Sequence, residues 1–384
     1  MQLLIIFFSI LITVQSVAQP TGDKILLMNT EEVRIDAMNA VNDMYNFEFE
    51  KSEKEFRWLK QQYPAHPLPY FLMGLSQWWK MLPDFDNVHN DDVFVSYMDT
   101  VLSLCDQLFE KNEKDIEATF FAAAAYGFKG RMYGERHKWT KAVYNGFKAL
   151  QYILDGEELG EFSYEFKFGS GIYYYYAVWI PENYKWVKPL MFFKAEGDKK
   201  KGLDLLQFVS NNAFYTRTEA QYFLMRIFSN EENDAGKAYP MAEYLHRTFP
   251  NNSYFHRSYA RIAFWKGELN KAEELAREII ACIENKKTGY ASTDGRYANY
   301  FLGYIYEYYK RDKPTAKKYY EQTLYFSETG NALESGYYHA ALCRLAKMAI
   351  EENNSKEAKK YYKKVLKHAE KDSKYYKEAK EKLR

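Results

Sequence analysis

Small side chains recur along this sequence at a constant interval, and this recurrence constrains the possible folds more than any other feature. Ala238 and Ala242 stand four residues apart, and Ala272 and Ala276 repeat the pair 34 residues later. A fixed period in the range of about 20–50 residues indicates stacked supersecondary units. Two antiparallel helices approach closely only where the side chains between them are small, so each copy predicts one helical hairpin.

Further copies of this pattern extend along most of the chain. Those in predicted second helices are Ser52, Phe56 and Leu59; Ala142, Gly146 and Ala149; Ala316, Tyr320 and Thr323; and Ala358, Tyr362 and Val365. Predicted first helices carry the pairs Met73-Gly74, Tyr259-Ala260 and Leu302-Gly303 at the crossing. We expect Gly267 to close the turn of one hairpin and Pro250 to end a second helix.

The Met73-Gly74 and Leu302-Gly303 pairs stand where the tetratricopeptide pattern has a Leu-Gly pair, and the chain resembles the tetratricopeptide repeat family. The resemblance is specific over residues 213–369, looser over 37–82 and degenerate over 83–212. It implies an all-α fold, a right-handed α-solenoid of stacked antiparallel helical hairpins. Roughly ten hairpins of ~34 residues would fit in the chain.

Three regions are predicted along the chain. Residues 1–18 resemble a cleaved signal peptide, with a short apolar run and a Ser-Val-Ala sequence ending at Ala18. The run is too short to span a bilayer comfortably, and a first buried helix or a membrane anchor is the alternative. Residues 19–212 are predicted to form degenerate N-terminal repeats, and 213–384 to form C-terminal repeats ending in basic capping helices.

The signal peptide predicts a periplasmic or secreted protein with no integral membrane span after cleavage. The segments GLSQWWKML and GFKGRMYGERHKW are also similar to exported tetratricopeptide repeat proteins of Bacteroidota-type bacteria. That second resemblance implies a location in the cell envelope and carries no activity with it.

Composition argues against several classes of function. The 53 basic and 52 acidic residues leave a net charge of +1, without the basic excess typical of nucleic-acid-binding proteins. Cys105, Cys282 and Cys343 are an odd, scattered set, so we expect free buried thiols and no disulfide framework. The seven His form no His-Glu-x-x-His motif, so no metal site or cofactor is predicted. No nucleophile, base and orienting group can be assembled, so no catalytic residue is predicted.

Two polar segments leave alternatives open. In DFDNVHNDD the residue types do not match a calcium loop, and Asn90 is expected to cap a helix whose first turn holds the two following aspartates. In GRMYGERHKW the residues Arg131, Arg136 and His137 are expected in a solvated turn with Trp139 packed inward, and an anion pocket is the alternative.

The segment KFGSGIYYYYAVWIP combines glycines with four consecutive tyrosines. It lacks the Gly-Lys-Ser/Thr ending of a phosphate loop. A strand is the alternative because Tyr, Val and Ile favour sheets. Its place within a helical array favours a largely buried helix.

The resemblance also implies where a partner binds, because first helices line the concave face of tetratricopeptide solenoids. The family's groove positions correspond here to Phe71, Trp78, Trp79, Arg257, Arg261, Trp265, Tyr297, Tyr300, Tyr304 and Tyr308. Aromatic faces and guanidinium groups suit a peptide, a carboxylate or a sugar polymer. We therefore expect a non-enzymatic envelope scaffold that binds a protein segment, and an exported glycan-binding module is the alternative. Packing between repeats is the competing role for each aromatic residue.

Overall fold

The computed structural model describes residues 26–158, 163–185 and 197–384, so the predicted signal peptide at 1–18 lies outside the described residues. Within these ranges the chain forms seventeen α-helices. In chain order they are α1 Glu31–Tyr45, α2 Phe49–Gln62, α3 Pro67–Met81, α4 Asp91–Phe109, α5 Ile116–Glu135, α6 Trp139–Glu158, α7 Ser163–Asn183, α8 Lys199–Asn212, α9 Arg217–Arg226, α10 Ala235–Thr248, α11 Ser253–Lys266, α12 Leu269–Glu284, α13 Ser292–Tyr308, α14 Lys313–Thr329, α15 Gly336–Glu351, α16 Ser355–His368 and α17 Lys374–Lys382. None of these helices is long and apolar enough to cross a bilayer.

Consecutive helices pack together in pairs, from α1 with α2 to α15 with α16, and α17 follows the last pair. Several odd-numbered helices also contact the next odd-numbered helix, as α11 contacts α13 and α13 contacts α15. This arrangement confirms the predicted all-α solenoid. The described chain holds eight pairs where roughly ten were expected, because α4 to α7 have 19 to 21 residues each.

The small residues of the repeat lie where the helices cross. Ala272 and Ala276 are fully buried, and Gly267 takes a left-handed conformation with φ of 87° directly after α11. A Cβ atom added at Gly303 would lie 2.7 Å from ring atoms of Tyr320. The predictions for this turn and for the crossing of α13 with α14 are therefore confirmed.

A close crossing also exists in the degenerate region, where the repeat pattern did not predict one. A Cβ atom at Gly202 of α8 would lie 2.6 Å from the backbone nitrogen of Tyr175 and 2.8 Å from the carbonyl oxygen of Gly171, both in α7. The KFGSGIYYYY segment belongs to α7, so the predicted helix is confirmed. Gly171 lies in this segment and allows α7 and α8 to touch.

The loop before α4 is held by the side chain of Arg136, which directly follows α5. Arg136 donates from Nε and Nη2 to the two carboxylate oxygens of Asp91, each at 2.7 Å, and to the carbonyl oxygens of Phe85 and Asn87. These internal partners exclude the anion-pocket alternative for Arg136. Asn90 occupies the N-cap position of α4, as predicted. Its side chain makes no capping hydrogen bond, so the predicted capping contact was wrong.

Residues far apart in sequence meet inside the solenoid. Tyr45 of α1 and Trp79 of α3 both donate to Glu219 Oε1 of α9, each at 3.1 Å. Asn252, at the start of α11, donates to the carbonyl oxygen of Tyr45 at 2.7 Å, and the Trp79 and Phe255 rings pack edge to face at 5.3 Å. The first two helix pairs therefore pack directly on the fifth and sixth.

The segment before α1 contributes to the same interior. Leu26 and Met28 are buried. The backbone nitrogen of Met28 donates to Glu117 Oε1 at 2.7 Å, and the Tyr215 hydroxyl donates to the carbonyl oxygen of Met28. First-helix side chains in the N-terminal half of the solenoid are thus covered by other parts of the same chain.

The three cysteines are free thiols, as predicted. Cys105 and Cys343 are buried and Cys282 is partly buried. Burial raises the pKa of Cys343 to about 12 and raises the pKa of Cys105 as well, so both stay protonated and unreactive at neutral pH.

Candidate functional site

Four of the ten residues predicted to line a groove belong to the core. Phe71, Trp78, Trp79 and Arg257 are all buried, and the two tryptophans expose no surface. Phe71 and Trp78 pack against other rings of the N-terminal half, and Trp79 and Arg257 contact residues of the other half of the chain, which leaves little surface for a partner. The prediction that these four contact a ligand is therefore corrected to a packing role.

Arg257 shows why an arginine on a first helix can serve the fold. Its Nη1 donates to Asp294 Oδ1 at 2.6 Å, and its Nη2 donates to the carbonyl oxygen of Pro83 at 3.1 Å. Burial raises the pKa of Asp294, and the guanidinium opposes that rise. The pair links α11 to the start of α13 and to the loop after α3, so its charge is already compensated inside the protein.

Arg131 is also held by partners inside the protein, in this case aromatic rings and one tyrosine hydroxyl. Its guanidinium carbon lies 4.6 Å from the Trp78 ring centroid and 5.2 Å from that of Tyr222, and it donates to the Tyr222 hydroxyl. His137, by contrast, is exposed on the turn after α5, with φ of 56°. Arg131 and Arg136 therefore face different internal partners and do not form the common anion pocket that was the alternative.

The other six predicted residues remain at least partly accessible and lie on one surface. We call this surface the tyrosine–arginine strip; it comprises Arg261, Trp265, Tyr297, Tyr300, Tyr304, Tyr308, Tyr337 and Arg344. The strip spans α11, α13 and α15, the first helices of the last three pairs. Side chains four residues apart point to one face of a helix, which explains the alignment of Arg261 with Trp265 and of Tyr300, Tyr304 and Tyr308.

Ring contacts join α13 and α15 within the strip. The Tyr337 ring of α15 lies 4.7 Å from both the Tyr297 and the Tyr300 rings of α13, measured between centroids. The centroids of the Tyr304 and Tyr308 rings are 4.6 Å apart, and the ring planes are tilted by 40°. Burial raises the pKa of Tyr300 and of Tyr308, so their hydroxyls are neutral hydrogen-bonding groups at physiological pH.

Arg261 carries the positive charge of the strip that has no internal counter-ion. Its guanidinium carbon lies 4.6 Å from the Trp265 ring centroid, and Nη2 donates to Asn230 Oδ1 at 2.7 Å and to Ser229 Oγ at 3.1 Å. Both acceptors are neutral, and no carboxylate among the described residues forms an ion pair with Arg261. Its charge is therefore available to a partner.

Arg344 provides the contrast at the other end of the strip. It donates from Nε to Glu307 Oε2 at 2.9 Å and from Nη2 to Glu307 Oε1, and its guanidinium carbon lies 4.8 Å from the Tyr308 ring centroid.

Trp265 and Tyr308 are the most accessible aromatic residues of the strip, with 48% and 44% of their surface exposed. Sequence reasoning missed Arg344 and Tyr337, although α15 follows α13 as the next first helix.

Comparison with known proteins gives no closer identification. No family model matches the sequence. No curated protein matches it either. Among solved structures, the human IFIT1 dimer with m7Gppp-AAAA is 13% identical, with 83% of this chain and 68% of that chain covered and a TM-score of 0.39.

Two further solved structures are similar to this chain at comparably low sequence identity. The tetratricopeptide domain of P58(IPK) is 12% identical, covers 92% of this chain and 98% of its own, and has a TM-score of 0.25. Yeast Tom70 is 11% identical, covers 91% and 95%, and has a TM-score of 0.27. Identities and TM-scores this low transfer no function to this chain.

Proposed function

We propose that this chain is a non-enzymatic interaction scaffold whose tyrosine–arginine strip binds a segment of a partner protein. The observation that supports the proposal is an accessible row of aromatic side chains on α11, α13 and α15 around an arginine without an internal counter-ion. Aromatic residues and Arg are enriched at protein interfaces and dominate their binding energy.

The chemistry of the strip indicates the chemistry of the partner. Arg261 would pair with a carboxylate, from an acidic side chain or a chain terminus, because a guanidinium recognises carboxylates through paired hydrogen bonds. Trp265 and Tyr308 would pack against apolar side chains next to that carboxylate. We therefore infer an acidic segment that also carries aliphatic or aromatic residues.

A peptide fits the strip better than the alternative, a glycan. Sugar binding of this kind uses the open face of an aromatic ring. Arg261 covers one face of Trp265, and Arg344 lies over Tyr308, so one face of each of the two most exposed rings is already occupied by a guanidinium group. The covered rings favour a charged peptide, which can contact ring edge and guanidinium together.

Packing inside the solenoid supports placing the partner on the last three helix pairs. First-helix side chains of the N-terminal half contact α9, α11 and the segment before α1. They would have to leave the core before they could bind anything else. The proposed location in the periplasm or outside the cell depends on residues 1–18, which lie outside the described residues.

A peptide display library tests the proposal with the purified protein. We expect enrichment of sequences with Asp or Glu beside apolar residues, and loss of their binding in Arg261→Glu. Arg247→Glu is the matched control, because Arg247 is an exposed arginine on α10, outside the strip. If a folded Arg261→Glu protein binds the enriched peptides as well as the control does, the strip is not the binding surface. Selective binding on a glycan array would favour a glycan as the ligand.

A further inference from the structure

Three potential metal ligands lie side by side on three consecutive helices. His246 is in the last turn of α10, His256 is in α11 and Glu278 is in α12. One ligand atom from each, a ring nitrogen or a carboxylate oxygen, lies within 4.8 Å of the other two. These residues form no sequence motif, and the packing of α10, α11 and α12 brings them together.

Two ring nitrogens in this cluster are buried without a hydrogen-bond partner. They are Nδ1 of His246 and Nε2 of His256. His256 is only 3% exposed, and its Nε2 is 3.5 Å from Glu278 Oε2, longer than an ordinary hydrogen bond. Leaving a buried polar atom unpaired costs about 1–3 kcal/mol, so such atoms in a core require an explanation.

The second ring nitrogen of His256 is already oriented by a neighbouring side chain. Nδ1 lies 2.8 Å from the hydroxyl oxygen of Tyr290, a buried residue in the connection between α12 and α13. When Nδ1 carries the proton and donates it to that oxygen, the lone pair of Nε2 is free to coordinate. Metal-binding histidines are commonly held by such a hydrogen bond from the other nitrogen.

The two imidazole rings lie against each other. They are stacked, with centroids 4.4 Å apart and planes 26° from parallel. A neutral imidazole keeps the lone pair that a metal ion binds.

We propose that His246, His256 and Glu278 bind a divalent transition-metal ion of the Zn²⁺ type. Two imidazole nitrogens and one carboxylate oxygen are a donor set that suits zinc, with water as a fourth ligand. Glu278 is 51% exposed on its side chain, so the open position faces solvent. Tyr290 acts as a positioning residue for His256.

Binding requires the His246 ring to turn out of its stack on His256, because an imidazole binds a metal in its own ring plane, and the ligand atoms to move closer together. Zinc–ligand bonds of about 2.0–2.1 Å place tetrahedral ligand atoms roughly 3.4 Å apart. The exposed Glu278 side chain and the partly exposed His246 ring can turn to meet this distance, because the terminal torsions of His and Glu have broad minima. The ion would then link α10, α11 and α12 and stabilise the fold by an amount that grows with the logarithm of its free concentration above Kd.

Titration of the untagged, chelator-treated full-length protein with Zn²⁺ tests this proposal. We expect one ion per chain by calorimetry, a higher melting temperature with Zn²⁺, and no change with Mg²⁺, which prefers oxygen ligands. Co²⁺ substituted for Zn²⁺ should give the intense visible absorption of a four-coordinate site. A chain that binds no Zn²⁺, or whose Co²⁺ spectrum is that of the hydrated ion, would overturn the proposal.

Matched variants locate the ion. Glu278→Gln and His246→Gln should weaken Zn²⁺ binding by well over tenfold, and Tyr290→Phe by about 10–100-fold, as expected for loss of a hydrogen bond to a ligand. Glu274→Gln, an exposed carboxylate on the same helix, and His89→Gln, an exposed histidine, should bind Zn²⁺ as the unaltered protein does. Equal affinity in Glu278→Gln and Glu274→Gln, with both proteins folded by circular dichroism, would place the ion elsewhere and refute the site.

Discussion

Replacing Gly303 by alanine tests whether the small residues of the repeat are needed where helices cross. The added Cβ atom would lie 2.7 Å from Cδ1 and Cε1 of Tyr320. That ring is fully buried, and its hydroxyl donates to Glu307 Oε2 at 2.8 Å, so it cannot turn away without losing the hydrogen bond. Overpacking costs about 1–3 kcal/mol, while alanine recovers up to about 1 kcal/mol of helix propensity. We expect a net loss of about 1 kcal/mol in the free energy of unfolding.

Gly127→Ala is the control for this substitution. Gly127 is also inside a helix, α5, but is exposed, and a Cβ atom there would meet no heavy atom within 4 Å. Only the propensity gain remains, so stability should rise by up to about 1 kcal/mol. Urea unfolding followed by far-UV circular dichroism should shift the two midpoints in opposite directions at unchanged slope. If Gly303→Ala is as stable as Gly127→Ala, the close-approach explanation of the repeat is wrong.

Three further substitutions test the interior and the loop that it supports. Arg257→Met should lower the free energy of unfolding by about 3–5 kcal/mol, because it leaves the buried carboxylate of Asp294 uncompensated. Adding Asp294→Asn to that variant should restore part of the loss in the same urea assay, and no recovery would contradict the ion-pair argument. Burial raises the pKa of the Glu219 carboxyl in the folded protein above its value in the unfolded chain. The free energy of unfolding therefore falls as pH rises from the unfolded pKa towards the folded one. Glu219→Gln keeps an acceptor oxygen without the charge, so its stability relative to the unaltered protein should increase as pH rises above about 4.3, and a pH-independent difference would argue against a buried charge. Arg136→Ala removes the contacts that hold the loop at 82–90, so limited proteolysis should cut there faster while the helical circular dichroism stays unchanged; an unchanged cleavage rate would show that other contacts order the loop.

Several parts of the fold could be predicted because they depend on residues close in sequence. Gly267 ends α11 in a left-handed conformation, and Ala272 and Ala276 are buried where α12 meets its neighbours. The crossing of Gly171 with Gly202 was not predicted, because the repeat pattern is degenerate there. Backbone approach at that point depends on how α7 and α8 lie, which the spacing of residues in this region does not reveal.

The candidate surfaces were less predictable than the fold. Trp79 and Trp265 both occupy groove positions of first helices, yet Trp79 is fully buried and Trp265 is among the exposed aromatic residues. Nothing in their local sequence distinguishes them. His246 and His256 also lack a recognisable metal-binding spacing, and only the stacking of α10 on α11 makes them neighbours.

The sequence alone determined that this chain is a stack of helical hairpins, since small residues at a 34-residue interval act between helices that follow each other directly. Tertiary structure decided which first-helix residues remain exposed. Contacts such as Arg257 with Pro83 and Asn252 with Tyr45 join residues 174 and 207 positions apart. They depend on how the whole stack curves back on itself, because small rotations between successive pairs accumulate along the chain.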